Sequence, residues 1–582
     1  MISLVKITNE AYRVRWDLTN DPIPAVGRLV AAKNDSAAFQ IVLQSDCQYS
    51  VAVRPVEWFS YKTALRGPHQ RIRVEVTSCF EKELCLEGMM TDQDDAKKAD
   101  VLLTQDVLEC PANFPTGVWA EIKIPKDALA GEYLVKVRVF SSFYGEDEEL
   151  VFCDEIPLTV SDYVLPEPKD RKLYLNLWQH LSSIARYHDT PLWSDEHFAV
   201  IEEYVKALAA LGQKSVTLCA GEIPWGGQGC AVDREHNSNL FEYSIIPITK
   251  KVDGSFFYDF GIMQRYIDLC TKAGITGDIE IFGLVNVWQK LIPAPLCEDY
   301  PENIVLRYFD QASGAVKYIR SSDEVIAYIK ALEKYFIDTL QITRVRIGAD
   351  EPSDIERYRK SLELLKEIAP SFKCSTAINH AEFIEEFQDR IHTAAPYLSC
   401  VNKEYDTLKK HKAQFPDKKL LYYVCGYHGI PNNCISNPLT DNRCIGLLVD
   451  YLGMDGFLRW NFCLFSDEPR TDIRFSHFGT GDMNFVYPAK NGKVLLSLRY
   501  KLLQRGFVDH ELLSSLRQKD PESAERLLSK VFKFSKDDLS DFDIRRRASH
   551  GKVDAARNEN DLVSRNYDDY NELKASALEL LK

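Results

Sequence analysis

RVRIGADEPSD, residues 344–354, is the stretch whose reading decides the fold. Its first half is an apolar strand pattern. Pro352 ends that strand, and Ser353 or Asp354 is placed to cap a following helix. SDIERYRKSLELLKEIA (353–369) carries the helical period downstream, and SDEVIAYIKALEKYFIDTL (322–340) carries it upstream. The same alternation runs through the middle of the chain. KLYLNLW (172–178), SVTLCA (215–220), DIEIFGLVNVW (278–288), RVRIGAD (344–350), CSTAI (374–378), YLSCVN (397–402), KLLYYVCGY (419–427) and GFLRWNF (456–462) read as eight strands. They are nearly continuously apolar, as buried parallel strands are. The expected architecture is α/β, with a (β/α)8 TIM-like barrel over 166–517.

Outward from that core the pattern changes on both sides. Upstream, AAFQIVLQS (37–45), RIRVEVTS (71–78), GVWAEIKIP (117–125), GEYLVKVRVF (131–140) and FCDEIPLTV (152–160) are β-rich and mostly alternating. They predict an antiparallel β-sandwich over 1–165, joined to the barrel by the proline-containing VLPEPKD (164–170). Downstream, the polar residues 518–582 end in NELKASALELLK and predict a small helical extension.

Composition narrows the function classes. The chain has 582 residues, enough for two or three domains. Its net charge of −15, with no dense basic stripe, argues against nucleic-acid binding. No run of 18 apolar residues suggests a membrane span. The 15 cysteines form no CxxC pair and no zinc spacing, and read as reduced core residues, which favours the cytoplasm. Neither a metal nor another cofactor is expected, because phosphate-binding loops, HExxH and GxSxG are absent. WGGQG (225–229) reads as a flexible loop. Nothing in the sequence opposes a homo-oligomer.

The candidate chemistry is at Asp350 and Glu351. Two acids before a helix can simply favour its dipole. These stand at the carboxyl end of a barrel strand, where barrel enzymes place their sites. Arg344 and Arg346 share parity with Asp350, so Arg346 can stand below it and keep it ionised, or can point to a helix interface. Neighbours on an ideal strand face opposite ways, so both acids reach one substrate only if the backbone turns at Glu351. Two adjacent acids fit a glycosidase in which the substrate's 2-acetamido oxygen is the nucleophile. One acid then orients the acetamido N–H and the other moves the proton. Trp178, His180, Trp288, His428, Trp460 and Asn461 follow other strands and are candidate sugar contacts. For each of them core packing is at least an equal reading, and for His180 it is the plainer one.

Several segments resemble glycoside hydrolase family 123, the β-N-acetylgalactosaminidases, and the wider bacterial group sharing that catalytic domain. They are AAKNDSAAFQIVLQS (31–45), IPKDALAGEYLVKVRV (124–139), GADEPSD (348–354), GFLRWNF (456–462) and VYPAKNGKVLLSLRYKLLQRGFVDHELL (486–513). GTGDMNFVYP (479–488) departs from it at Met483 and Asn484. The resemblance implies retaining, substrate-assisted release of a terminal β-linked GalNAc from a glycan. Asp350 would then be the acetamido-orienting acid and Glu351 the acid/base. Tyr427 is the candidate partner of the acetamido carbonyl, and Arg499 the candidate for a helix-to-barrel ion pair. A glycosidase that works without the acetamido group, or a carbohydrate-binding protein without turnover, are the alternatives.

Overall fold

The computed structural model describes residues 1–17, 22–55, 68–225, 241–287, 295–426, 431–466, 468–475, 478–535 and 562–582. Trp288, Tyr427, His428 and most of WGGQG lie outside them. In the first part of the chain the period-2 pattern becomes two sheets. One is antiparallel, in the order Ile2–Asn9, Asp35–Ser45, Thr116–Ile124, Glu81–Thr91, Lys97–Leu103. The other runs Leu29–Lys33, Glu149–Val164, Gly131–Phe143, His69–Thr77, Gln48–Ala52, Val107–Cys110. It is mixed rather than antiparallel throughout. Leu29–Lys33 pairs parallel to Glu149–Val164, and Gln48–Ala52 parallel to His69–Thr77. Phe39, Ile41 and Leu43 of one sheet and Val135, Val137 and Val139 of the other share a core. The alternate residues Ala38 and Val42 pack instead with Trp119, Leu439, Leu498 and Leu502. Asp35–Ser45 is therefore buried on both faces, which is why its sequence hardly alternates.

The second part is an eight-stranded parallel sheet that curls upon itself. Its strands are β1 (Tyr174–Leu177), β2 (Val216–Cys219), β3 (Ile279–Phe282), β4 (Val345–Asp350), β5 (Lys373–Ile378), β6 (Ile391–Pro396), β7 (Lys419–Tyr423) and β8 (Gly456–Arg459). Ladders join β2 through β8 in chain order, and β8 then pairs with β1. The expected closed barrel differs at the β1–β2 seam. There one bridge, Leu175 to Gln213, takes the place of a ladder, with Lys214 N–H donating to Leu175 O at 2.9 Å. The Gln213 side-chain amide substitutes for a peptide group in this seam. Its oxygen accepts from Leu177 N–H at 2.9 Å, and its NH2 donates to Leu177 O at 3.1 Å and Ser215 O at 2.8 Å.

The sixth strand also falls elsewhere than the sequence suggests. It is Ile391–Pro396, whereas residues 398–414, including most of YLSCVN, are helical. Pro396 ends the strand because it cannot donate to a further rung.

One helix, Leu498–Lys519, explains the late sequence signature. Its buried charges reach across to the first sheet. Arg499 Nε bonds Asp100 at 2.9 Å, Lys501 bonds Glu121 at 2.5 Å, and Arg505 bonds Glu10 at 2.8 Å and Glu121 at 2.9 Å. The expected ion pair of Arg499 is thus made to the sandwich and not to the barrel. Among the helices that pack on the parallel sheet, Asp509 pairs with Arg443 at 2.6 Å. Gly506 lets this helix meet Leu439–Tyr451 backbone to backbone, since a Cβ there would stand 2.3 Å from Arg443 O. The helices Pro521–Val531 and Tyr567–Leu580 bury Leu528, Val531 and Leu573 in the same hydrophobic cluster as the parallel sheet.

Removing one member of a buried ion pair leaves the other charge without a partner. Asp100→Ala should therefore lose roughly 3–5 kcal/mol of stability in urea unfolding. Lys123→Ala, which breaks the exposed pair with Glu81, should change it by less than about 1 kcal/mol.

Candidate active site

The site is built at the carboxyl end of β4. Asp350 is the last residue of the ladder with β5, opposite Ala377. Glu351 N–H still donates to Ala377 O at 3.0 Å. There the backbone turns left-handed, with Glu351 at φ 46°. Few side chains other than glycine, asparagine and aspartate accept that conformation, and it typically costs about 1–3 kcal/mol. Several contacts hold the turn. Asn286, itself at φ 49°, donates its amide to Asp350 O, and Asp354 caps the helix Ile355–Ile368 by accepting from Arg357 N–H at 3.0 Å.

The turn breaks strand alternation and brings both carboxylates to one space. Tyr423, at the end of β7, donates its phenol to Glu351 Oε1, and Asn379 Oδ1 lies 3.3 Å from the same phenol oxygen. The Trp225 indole hydrogen-bonds Asp350. Burial raises the Asp350 carboxyl well above the ordinary carboxylate range, past neutrality. The Glu351 charge adds to this, and the Trp225 bond opposes it only in part.

An aromatic wall positions Trp225. Its ring stacks on Trp178 at 5.5 Å and meets Phe282 and His180 at 4.9 Å each. Gly348 makes room for the wall, since a Cβ there would stand 2.5 Å from the Phe282 ring. Trp178 and His180 are thus buried as parts of the wall. His180 Nε2 is 3.0 Å from Trp460 O, as befits a structural histidine.

Other sequence candidates move away from the acids. Arg346 does not support Asp350. Its guanidinium pairs with Asp278 at 3.1 Å, toward the amino ends of the strands, where Lys419 also meets Asp278 at 2.9 Å. Gly348 and the Phe282 ring lie between. Asn461 is fully buried and donates to Asp482 O. Trp460 is only half-buried, and its indole N–H donates to Asp482 Oδ2 at 3.0 Å. Asp482, which the sequence reading passed over, organises this corner. It also pairs with Arg459 at 2.7 Å and accepts from Gly426 N–H at 3.0 Å. Tyr423, Trp225, Asn286 and Asn379 were missed as well. Only Tyr423 carried a readable signal, being the last inward residue of a strand that ends beside Asp350. Among the described residues no group of three His, Cys, Asp or Glu could hold a metal, and no helix is long and apolar enough to cross a membrane.

A pair of acids at the mouth of a parallel α/β sheet, backed by aromatic rings, is the arrangement of a glycoside hydrolase. The model for the catalytic domain of glycoside hydrolase family 123 matches residues 178–516, and the chain belongs to that family. A family 123 glycoside hydrolase from Clostridium perfringens has the same fold, with a TM-score of 0.72 at 17% identity, over 100% of this chain and 97% of that one. A β-D-glucuronidase from Dictyoglomus thermophilum aligns over 82% of this chain and 67% of its own, at 11% identity and a TM-score of only 0.30. No curated protein matches the chain.

Folding raises the Asp350 carboxyl, so the folded chain keeps a proton there that the unfolded chain releases above about pH 4. Stability from this residue is therefore lost as pH rises from about 4 through neutrality. Asp350→Asn, uncharged throughout, should melt at a higher temperature than the wild type. The gap should widen toward neutral pH and close in acid. A gap that is constant with pH would contradict the shift.

Proposed function

We propose that the chain is a retaining exo-β-N-acetylgalactosaminidase working by substrate-assisted catalysis. The observation that carries this reading is the left-handed turn at Glu351, which lets two acids adjacent in sequence address one sugar. In the proposed reaction the acetamido carbonyl oxygen attacks C1 while Glu351 protonates the departing glycosidic oxygen. The C1–O bond breaks and a C1–O bond to the acetamido oxygen closes an oxazolinium ring. Asp350 accepts the acetamido N–H and offsets the ring's positive charge. Glu351, now ionised, then takes a proton from water as that water attacks C1, restoring both the acetamido group and the acid. The single proton that the pair holds at Asp350 in the empty site passes to Glu351 when the substrate's N–H takes its place, leaving Asp350 ionised and Glu351 as the acid.

The Clostridium perfringens structure concerns hydrolysis of glycolipid glycans, which supports a glycan end as the substrate. With this reading we propose a complete (β/α)8 barrel over 166–517, sealed at its weak seam by Gln213, between a sandwich over 1–165 and a helical extension over 518–582. Trp460 is the proposed sugar platform, and Trp288 and Tyr427 are proposed further contacts.

Glu351→Gln should lower kcat on methyl β-N-acetylgalactosaminide by about 10²–10⁴-fold. The loss should be smaller on a nitrophenyl glycoside, whose leaving group needs less help from an acid. A thiazoline analogue of the oxazolinium ring should inhibit, and aryl glycosides with a plain 2-hydroxyl should not turn over. Full activity of Glu351→Gln, or equal rates with and without the 2-acetamido group, would overturn the reading.

A further inference from the structure

The segment that carries Trp225 has a second side. Ile223 and Trp225 face the aromatic wall of the candidate active site, while Glu222 lines a separate cavity of about 270 Å³. That cavity lies between the start of the helix Asp195–Leu211, residues 243–248 and the strand Arg307–Asp310. We propose that it is a second pyranose-binding pocket, which holds a neutral sugar unit of a glycan away from the Asp350–Glu351 pair. This inference rests on the proposal that the substrate is a glycan.

Size is the first argument. Pockets for drug-sized ligands begin at roughly 300 Å³, so this one suits a single ring. Its walls are the second. Trp193, Tyr243, Tyr308 and Phe309 supply aromatic surface for the C–H face of a pyranose, and Phe309 is 46% exposed at the rim. Polar groups are the third. The Glu222 side chain is only 7% exposed, yet it lines the cavity and pairs with Arg307 Nε at 2.8 Å. The Arg307 guanidinium in turn lies over the Tyr243 ring, 4.8 Å from its centroid. A carboxylate and a guanidinium side by side offer an acceptor and a donor to vicinal hydroxyls. Their charges cancel, which favours a neutral sugar over an anionic one.

The backbone supplies a fourth observation. Trp193 sits at φ 66°, a left-handed conformation that a bulky residue rarely takes. It is held there by its N–H donating to His197 Nδ1 at 3.1 Å, next to the Ser194 cap of the helix. The conformation places an indole at the mouth of the cavity, and strain of this kind gathers at ligand sites.

The test uses full-length Glu351→Gln protein and four probes, the methyl β-glycosides of galactose, glucose, N-acetylgalactosamine and N-acetylglucosamine, followed by ligand-observed NMR titration. At least one probe should bind, and adding Trp193→Ala or Phe309→Ala should weaken that binding by roughly tenfold. In the otherwise wild-type chain, either pocket change should leave kcat/KM on a nitrophenyl β-N-acetylgalactosaminide within about twofold. Phe309→Ala alters an exposed side chain, so its result stands even if Trp193→Ala fails to fold. Binding of every probe unchanged by Phe309→Ala, or no binding at all, overturns the pocket. Failure of the catalytic reading shows separately, as absent turnover in the wild type with pocket-dependent binding retained.

Discussion

Glu351 occupies a backbone conformation that its side chain disfavours, and the chemistry proposed for this molecule depends on that one residue. On a regular strand Asp350 and Glu351 would point to opposite faces, one into the sheet's interior and one toward its helices. The turn at φ 46° abolishes that choice. It is imposed from three sides: the last rung to Ala377, the amide of Asn286 on the preceding carbonyl, and Pro352 immediately after. Residues beyond β3, in β5 and just after β4 are thus all engaged in keeping the two acids together.

Below that turn the interior of the sheet is layered. Nearest the amino ends, Asp278 takes Arg346, Lys419 and the Tyr174 hydroxyl. One layer up, Glu280 accepts from Asn176 at 2.8 Å and Ser375 at 2.6 Å, and burial raises its carboxyl. Above it lies the ring of Phe282 over Gly348, and above that the acids of the site. Each acidic layer has its own local partners. The Arg346 cation is spent on Asp278, and around Asp350 burial and the Glu351 charge outweigh the bond from the Trp225 indole. Its raised protonation follows from this arrangement.

Much of this was legible in the sequence and part was not, for physical reasons that differ from place to place. GADEPSD announced the end of a strand, a break and a capped helix, because proline and aspartate have few other uses in that order. IHTAAP did not announce β6. Two alanines and a proline have weak strand preference, and they are accommodated because the interior of the sheet is crowded there, with Ala395 packed beside Tyr423 in one cluster. Trp178, His180 and Asn461 look like site residues by position, and burial is what separates a wall from a contact surface. Trp225 lay in a segment that reads as loop, and loops give no period from which to infer direction. The late signature, by contrast, encoded charges and a glycine whose meaning needed the partner sheet. Arg499, Lys501 and Arg505 lie within two turns of one helix, and such a cluster makes sense only against the acids of another layer.

That cluster bears on the lineage of the chain as well as on its folding. The cations of Leu498–Lys519 take their counter-charges from Asp100, Glu121 and Glu10, all in the first sheet or its margin. The sandwich therefore behaves as an outer lining of the catalytic layer and not as an accessory module on a tether. A gene rearrangement that exchanged it for another β-domain would have to bring three acids to the same places at once. Inheritance of the two parts as one indivisible unit is the expected history of such a molecule.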